Sequence, residues 1–357
     1  MNICLGIDVS KATLRVALVA DTDCGRKILG SHSFSNNDKG FDALLQWTRA
    51  KSKGDAPLAV MEATGIYHEN LADYLYAHSI GVSIVLPNRI KHFAHCLNIK
   101  TKTDKVDALI IAKYGLERRP SLWEPMTPAL AQMRGLSRTI RAIKQDLVRY
   151  KNRAAALNST SRTTPQLARH IKEVIAHLSA SIGQMEQELL ELAHTDASFM
   201  ERVRNAATIK GVSELTIIHL ACETNGFALM NNARQAVSYA GLDVMAYESG
   251  TISRKGHISK RGNPRIRQML YTPALVASRF GPESIRQLYQ RVVERNPSTK
   301  RKAIVAAERK LLVLIYTLWT NNTPFDPEYR HPNMLRGDSP IASDIAEAEL
   351  LLEKTGA

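Results

Sequence analysis

The chain has 357 residues, enough for two or three domains with cores of their own. It is 44% hydrophobic and 23% charged, an ordinary globular balance, with a net charge of +14 and a pI of about 9.7. No apolar run reaches the length of a membrane span, and the N-terminus lacks a basic region followed by an apolar signal core, so a membrane or secreted protein is not expected. The four cysteines, Cys4, Cys24, Cys96 and Cys222, are scattered without CxxC spacing. That speaks against a structural zinc site or a disulfide framework and makes a reducing cytoplasm the default. The excess of positive charge favours a polyanionic partner, most often nucleic acid. The plainer reading is a basic enzyme with a solvated surface, and the distribution of the charge has to decide.

Up to about Glu117 the pattern alternates strand and helix. Ile3–Ile7 and Leu14–Val19 read as a strand hairpin, and Ser31–Phe34 is a candidate third, short strand. Gly40–Lys51 reads as a helix with Phe41, Leu44, Leu45 and Trp47 apolar. Leu58–Met61 is a short buried strand ending at Glu62, Ile66–His78 a helix, and Val82–Leu86 a strand that stops at Pro87. Two helical stretches follow, around Arg89–Leu97 and Lys105–Leu116. Three strands in succession, then helix and strand in alternation, is the order of an RNase H-like α/β domain, expected over 1–120.

Pro120, Pro125 and Pro128 mark a linker. Beyond it Leu130, Met133, Leu136, Ile140, Ile143 and Leu147 recur at steps of three and four. So do Ile171, Val174, Leu178, Ile182, Met185, Leu189 and Leu192. These are coiled-coil-like seams, and the Ser/Thr-rich Asn158–Pro165 between them predicts an antiparallel helical hairpin, a connector over 121–198. Arg134 to Lys172 carries ten Lys or Arg against one acid, Asp146, whereas Glu173 to Asp196 carries five acids and no Lys or Arg. A charged helical face is usually only solvated, but so one-sided a run reads as a track for phosphates. A mostly helical region follows over 199–322, and the proline-containing tail, 323–357, is peripheral.

Four acids stand out. Asp8 ends the first strand and Glu62 a later one, while Asp104 and Asp107 share a helix face at i, i+3. In an RNase H-like sheet the first strand is central and the strand ending at Glu62 lies beside it. A helix across that sheet would bring Asp104 and Asp107 to the same point. Four such ligands suit a pair of Mg²⁺ ions, which can stabilise the attacking and leaving oxygens of a phosphoryl transfer. The structural alternative makes Glu62 and Asp104 helix caps. Sugar kinases and actin-like ATPases also end a first strand on Asp, but Asp8 is followed by Val9, Ser10, Lys11 and Ala12, without the glycines a phosphate loop needs, and no GxxxxGK[ST] occurs.

The stretch from Thr251 to Leu270 carries six Lys or Arg, one His and no acid, with Gly256 and Gly262 inside it. It reads as a basic, glycine-rich loop suited to phosphate. Ser249 begins this loop; by itself it is more often a turn residue than a nucleophile. Asn263 and Pro264 read as N-cap and N1 of a helix through about Arg279. Upstream, Lys210-Gly211-Val212-Ser213 joins two helical stretches, as a helix-hairpin-helix or as a plain packing unit.

Together these pieces resemble the DEDD-type insertion-sequence transposases, the group that includes the Piv DNA invertases and the bridge-RNA-guided recombinases. The resemblance runs through "GIDVSKATLRVAL", "MEATGIYHENLADYL", "NRIKHFAHCLNIKTKTDKVDALIIAKY", "TIKGVSELTIIHLACE" and "YAGLDVMAYESGTISRKGHISKRGNPRIRQMLY". It implies a RuvC-like N-terminal domain, a coiled-coil connector and a mostly α C-terminal transposase domain. Asp8, Glu62, Asp104 and Asp107 fall on the family's catalytic, metal-binding DEDD positions, and Ser249 on its nucleophilic serine. It further implies Mg²⁺, donor and target DNA, a structured guide RNA from the element, and a homo-oligomer built as a dimer of dimers. The candidate nucleic-acid contacts are Lys11, Lys102 and Lys105 near the acids, Arg141, Lys144, Arg149, Lys151 and Arg153 on the first long helix, and Lys210 in the turn. Arg254, Lys255, Lys260, Arg261, Arg265 and Arg267 add to these in the basic loop. Two alternatives stay open: a RuvC-like nuclease that uses water and leaves Ser249 idle, and an inactive nucleic-acid-binding relic.

Overall fold

The computed structural model describes residues 2–22, 25–63, 65–98, 104–160, 163–249, 252–295 and 297–328; within these, the side chains of 104, 105, 246–249 and 252–255 are not described. The chain divides into two compact units, Met1–Met126 and Thr127–Ala357.

The first unit is a five-stranded mixed sheet between helices. Its strands are β1 (Asn2–Val9), β2 (Thr13–Thr22), β3 (Gly25–Ser35), β4 (Leu58–Glu62) and β5 (Val82–Val85). The helices are α1 (Asp38–Ser52), α2 (Glu69–Ala77), α3 (Pro87–Cys96) and α4 (Asp104–Arg118). The order is β3-β2-β1-β4-β5, antiparallel across β1–β2–β3 and parallel across β1–β4–β5. β1 is thus central with β4 beside it, the arrangement expected of an RNase H-like domain. The third strand is longer than the expected Ser31–Phe34. Its outer half, Gly25 to Gly30, is largely exposed edge strand without a buried apolar stripe, so periodicity could not reveal it. The second helix begins at Glu69 rather than Ile66, so Glu62 lies too far upstream to cap it.

The period of two sorts the side chains of the sheet onto two cores. Ile3, Leu5, Ile7 and Val9 of β1 join Ala59 and Met61 of β4 in a core with Phe41, Leu44 and Leu45 of α1 and Leu71 and Leu75 of α2. On the opposite face Cys4 and Val60 pack with Ile90 and Phe93 of α3 and Ile110, Ile111 and Tyr114 of α4. Both faces are covered, which is why β1 and β2 read as continuous apolar runs.

Among the described residues the second unit is helical except for one hairpin. The helices α5 (Pro128–Asn158) and α6 (Pro165–His194) form the expected helical hairpin, joined across 159–164. Each starts on Thr-Pro: Thr127 and Thr164 accept from the backbone N–H groups of Leu130 and Leu167, and proline takes N1, where no N–H is needed. Then come α7 (Ala197–Ala207), α8 (Glu214–Thr224), α9 (Ala233–Ala240), β6 (Val244–Ser249), β7 (Ile252–Ile258), α10 (Pro264–Phe280), α11 (Glu283–Arg295) and α12 (Lys300–Asn321). Met200, Val203, Ile217, Leu220, Leu270, Ala274, Leu311 and Ile315 are among its buried residues. The basic loop read from the sequence contains an antiparallel ribbon, with Ser249 opposite Ile252. In the sequence the glycines and the run of like charges masked it. Asn263 does cap α10, its side chain accepting from Arg265 N–H at 2.9 Å.

Candidate active site

Asp8 is the penultimate residue of β1 and Glu62 the last of β4; both are partly buried. Cys4, Gly6 and Asp8 share one face of β1, and Leu58, Val60 and Glu62 one face of β4. Cys4 and Val60 belong to the core beneath α3 and α4, so both acids face the same helical layer. Parallel pairing brings Ile7 level with Met61, which sets Asp8 and Glu62 at the same end of neighbouring strands.

The crossing of α4 is fixed by two glycines. A Cβ at Gly6 would run into the carbonyl oxygen of Ala108 and the amide nitrogen of Ala112, and one at Gly115 into Cys4 Sγ and Val60. The helix therefore runs against the direction of β1, with Gly115 over Cys4 and Ala108–Ala112 over Gly6. From Cys4 to Asp8 is about 13 Å along a strand, and from Gly115 back to Asp107 about 12 Å along a helix. The first turns of α4, Asp104 and the partly buried Asp107, point to the edge that carries Asp8 and Glu62. Arg15 stands directly across from Asp8 in the β1–β2 pairing and shares that face. The turn beyond is tied down by Asn36, whose amide donates to Ser10 O at 2.8 Å and Tyr67 O at 3.0 Å. Sequence reading passed over Gly6 and Arg15. The signal for Gly6 was present, since a glycine inside an apolar strand marks a close backbone approach.

Among the described residues no three carboxylate, imidazole or thiol groups already converge on a metal-sized point, and the Asp104 side chain lies outside the described residues. The described acids here, Asp8, Glu62 and Asp107, offer carboxylate oxygens, which fit a hard divalent cation such as Mg²⁺.

Ser249 belongs to the second unit, at the end of β6; its side chain lies outside the described residues. So do Lys102 and the side chains of Lys105, Arg254 and Lys255. The remaining basic candidates fall into two groups. Lys11, Lys151, Arg153, Lys210, Lys260 and Arg261 are exposed, with Arg153 over the Tyr150 ring at 5.3 Å. Others are engaged within the fold. Lys144 pairs with Glu186 of α6 at 2.5 Å and Arg149 with Asp146 at 2.6 Å. Arg267 donates to Ala240 O at 2.6 Å, and Arg141 to the Gln268 side chain. Burial and the neighbouring charge of Arg265 push the Arg141 guanidinium below its ordinary value. In the Lys210 turn, Gly211 has φ +102° and backs onto Val276 and Ala277 of α10.

A buried polar cluster centres on Glu223 of α8, whose side chain is 2% exposed. It accepts from Arg138 through Nε at 3.0 Å and Nη2 at 3.2 Å, and from Asn263 Nδ2 at 2.8 Å, with Arg265 Nε at 3.8 Å. Burial works to raise its carboxyl, but the hydrogen bonds of Arg138 and Asn263 and the charges of Arg138 and Arg265 outweigh it and hold the group below its ordinary value. Nothing in the sequence marked Glu223, because its partners are 85 residues before it and 40 after it.

Paired strand-end carboxylates beneath a helix, with a separate unit bearing a basic ribbon, are the features of a protein that acts on a polyanion such as nucleic acid. Comparison with known proteins makes this particular. A model of the DEDD transposases of IS110 elements, described as "Transposase", matches residues 5–160, and one described as "Transposase IS116/IS110/IS902 family" matches residues 203–290. The pilin gene-inverting protein of Moraxella bovis is 31% identical over 324 residues, covering 90% of this chain and 97% of that one. A putative transposase of Sinorhizobium fredii is 26% identical over 323 residues, covering 77% and 80%. Among solved structures, RuvC of Thermus thermophilus aligns with 33% of this chain and 95% of its own at 14% identity and a TM-score of 0.26, too low to build on. The chain belongs to the IS110 family of transposases.

Proposed function

We propose that this transposase cuts and rejoins DNA through a covalent phosphoserine intermediate, with Ser249 as nucleophile and Asp8, Glu62, Asp104 and Asp107 as the ligands of Mg²⁺, two ions per site. In this reading residues 1–120 form the carboxylate domain, 121–198 the coiled-coil connector and 199–322 the serine domain, with 323–357 as a peripheral tail. The observation that supports it best is the packing of α4 on Gly6, which aims the Asp104–Asp107 turn at the edge holding Asp8 and Glu62.

Ser249 Oγ forms a bond to phosphorus as the P–O3′ bond of the strand breaks. The serine proton leaves to solvent, and the departing 3′ oxygen takes one up. A 3′ hydroxyl of another strand reverses the exchange, so the energy of the phosphodiester is kept and no nucleotide cofactor is consumed. When bound, a divalent cation at the carboxylate edge supplies positive charge for the phosphate oxygens. The carboxylates orient the group, and Arg15 across from Asp8 offsets their mutual repulsion.

Selection of donor and target by a structured RNA, assembly as a dimer of dimers and action in the cytoplasm rest on the family resemblance. Exposed Lys151, Arg153, Lys260 and Arg261 suit phosphates of either nucleic acid.

The test is an adduct trap. The full-length protein, its flanking RNA and labelled DNA are incubated with Mg²⁺ and run on a denaturing protein gel. An adduct that disappears in Ser249→Ala and in Asp8→Ala is the expected result. Cut DNA without adduct, unaffected by Ser249→Ala, would establish the water-using nuclease instead.

A further inference from the structure

Ser249 sits at the end of a ribbon whose described residues are none of them fully buried. Of its described side chains, Val244, Met245, Gly256 and Ile258 are only partly buried and His257 is exposed. A two-stranded ribbon alone is marginally stable, so its direction must come from its roots. Those roots are heavily tied. Asp243, just before β6, holds Ser259, just after β7, through Ser259 N to Asp243 O at 2.8 Å and Ser259 Oγ to Asp243 Oδ1 at 2.5 Å. Lys260 N donates to Gly241 O at 3.1 Å, and Asn263 N to Tyr239 O at 2.7 Å. Gly262 lies against Gly241 N and Tyr239 O with no room for a Cβ.

Asn263 closes this strap with both ends of its amide. Oδ1 caps α10 through Arg265 N–H, and Nδ2 donates to the buried Glu223 at 2.8 Å. Glu223 is in turn gripped by the fork of Arg138 from α5. We propose that Glu223 is a positioning residue for the nucleophile: through Asn263 it locks the root of the β6–β7 ribbon to α5 and α8, and so fixes where Ser249 is presented. The proposal rests on the serine reading above. The cost of burying a carboxylate at this point is met by two arginine hydrogen bonds and one amide hydrogen bond, more than helix packing alone calls for. The route also links the long α5 to the ribbon, so a shift of α5 reaches the serine through three side chains.

The test exchanges the polarity of the pair in the full-length chain. Asn263→Asp keeps an acceptor to cap α10, as aspartate caps as well as asparagine, but sets a carboxylate against Glu223. Adding Glu223→Gln restores one donor and one acceptor to the pair with the original net charge, but gives up the Arg138 Nη2 hydrogen bond, which shares Glu223 Oε2 with Asn263. Two readouts are taken: hydrogen exchange of the 244–258 amides, and the rate of Ser249–DNA adduct formation at saturating DNA. Loss of a hydrogen bond to a charged group should speed ribbon exchange and slow adduct formation by about tenfold or more in N263D. The α5–α6 amides and DNA affinity should stay at wild-type values, and the double variant should regain part of both losses, the Arg138 Nη2 hydrogen bond remaining absent. Wild-type ribbon exchange and adduct rate in N263D would overturn the proposal, as would a double variant no better than N263D. Ribbon exchange that responds as expected in a protein whose wild-type form gives no adduct would overturn the serine reading, and the positioning role with it.

Discussion

Gly6 and Ala108 meet backbone to backbone: the Cα hydrogen of Gly6 in β1 faces the carbonyl oxygen of Ala108 in α4, and the space holds no Cβ. Because the obstruction is backbone on a helix packed against three strands, it cannot swing aside as a flexible side chain would. Gly6→Ala should therefore lift α4 and cost about 1–3 kcal/mol of unfolding free energy, as overpacking does. Strand cleavage should fall further than stability, since the displaced helix carries Asp104 and Asp107. Urea melts beside cleavage assays check this; a G6A protein with wild-type melting and cleavage would show that the approach of α4 does not set the site.

Glu223 gives the second unit an acid-sensitive joint. Its folded carboxyl lies below its ordinary 4.5, so its contribution is complete above that value and is lost as pH falls through the folded one. Glu223→Ala leaves Arg138 without its buried partner and should cost about 3–5 kcal/mol at pH 7. The gap between wild type and E223A in denaturant melts should narrow as the pH falls below 4.5. A gap that does not change with pH would mean that the carboxylate form is not what the fold uses.

His219 and Glu308 should tilt stability in opposite directions. Burial, with the nearby charge of Lys144, brings the His219 imidazole down to about 4, and its Nδ1 lies 2.7 Å from Ser137 Oγ. A folded value below the ordinary 6.5 means full stability above 6.5 and loss as pH falls toward 4. Burial pushes Glu308 of α12 up to about 7 against the charges of Arg267 and Arg301. Its contribution is complete below 4.5 and is lost as pH rises through 7. Each amounts to roughly 3 kcal/mol across its window. Melting curves from pH 4 to 9 should show Glu308→Gln removing the alkaline loss and His219→Gln the acid one; unchanged slopes in the variants would refute the assignment.

The basic face of α5 should not act as a uniform track. All four of Lys144, Arg149, Lys151 and Arg153 are exposed, but Lys144 is paired with Glu186 and Arg149 with Asp146. Removing Lys151 and Arg153 together should reduce the slope of log affinity against log salt by about two, and removing Lys144 by much less than about one. Salt titrations of duplex and RNA binding read both. Equal effects would show that Lys144 leaves Glu186 when nucleic acid binds.

The sequence by itself determined the strands and most helices of the first unit, because burial on both sheet faces leaves continuous apolar runs and helices leave steps of three and four. It also determined the helical hairpin and the Asn263 cap, where chemistry is local. Asp8, Glu62, Asp104 and Asp107 stood out as acids at the ends of apolar segments and as an i, i+3 pair, and their convergence was an expectation from the order of an RNase H-like sheet. That Asp8 and Glu62 share a face and an end of the sheet came from the folded chain. It depends on the parallel pairing of β1 with β4, and the placing of the Asp104–Asp107 turn on Gly6 admitting α4, contacts between segments about fifty and about a hundred residues apart. The same holds for Glu223. A buried carboxylate inside an ordinary helical pattern carries no local mark, and its meaning lies in Arg138 and Asn263, which only the folded chain brings within hydrogen-bonding distance.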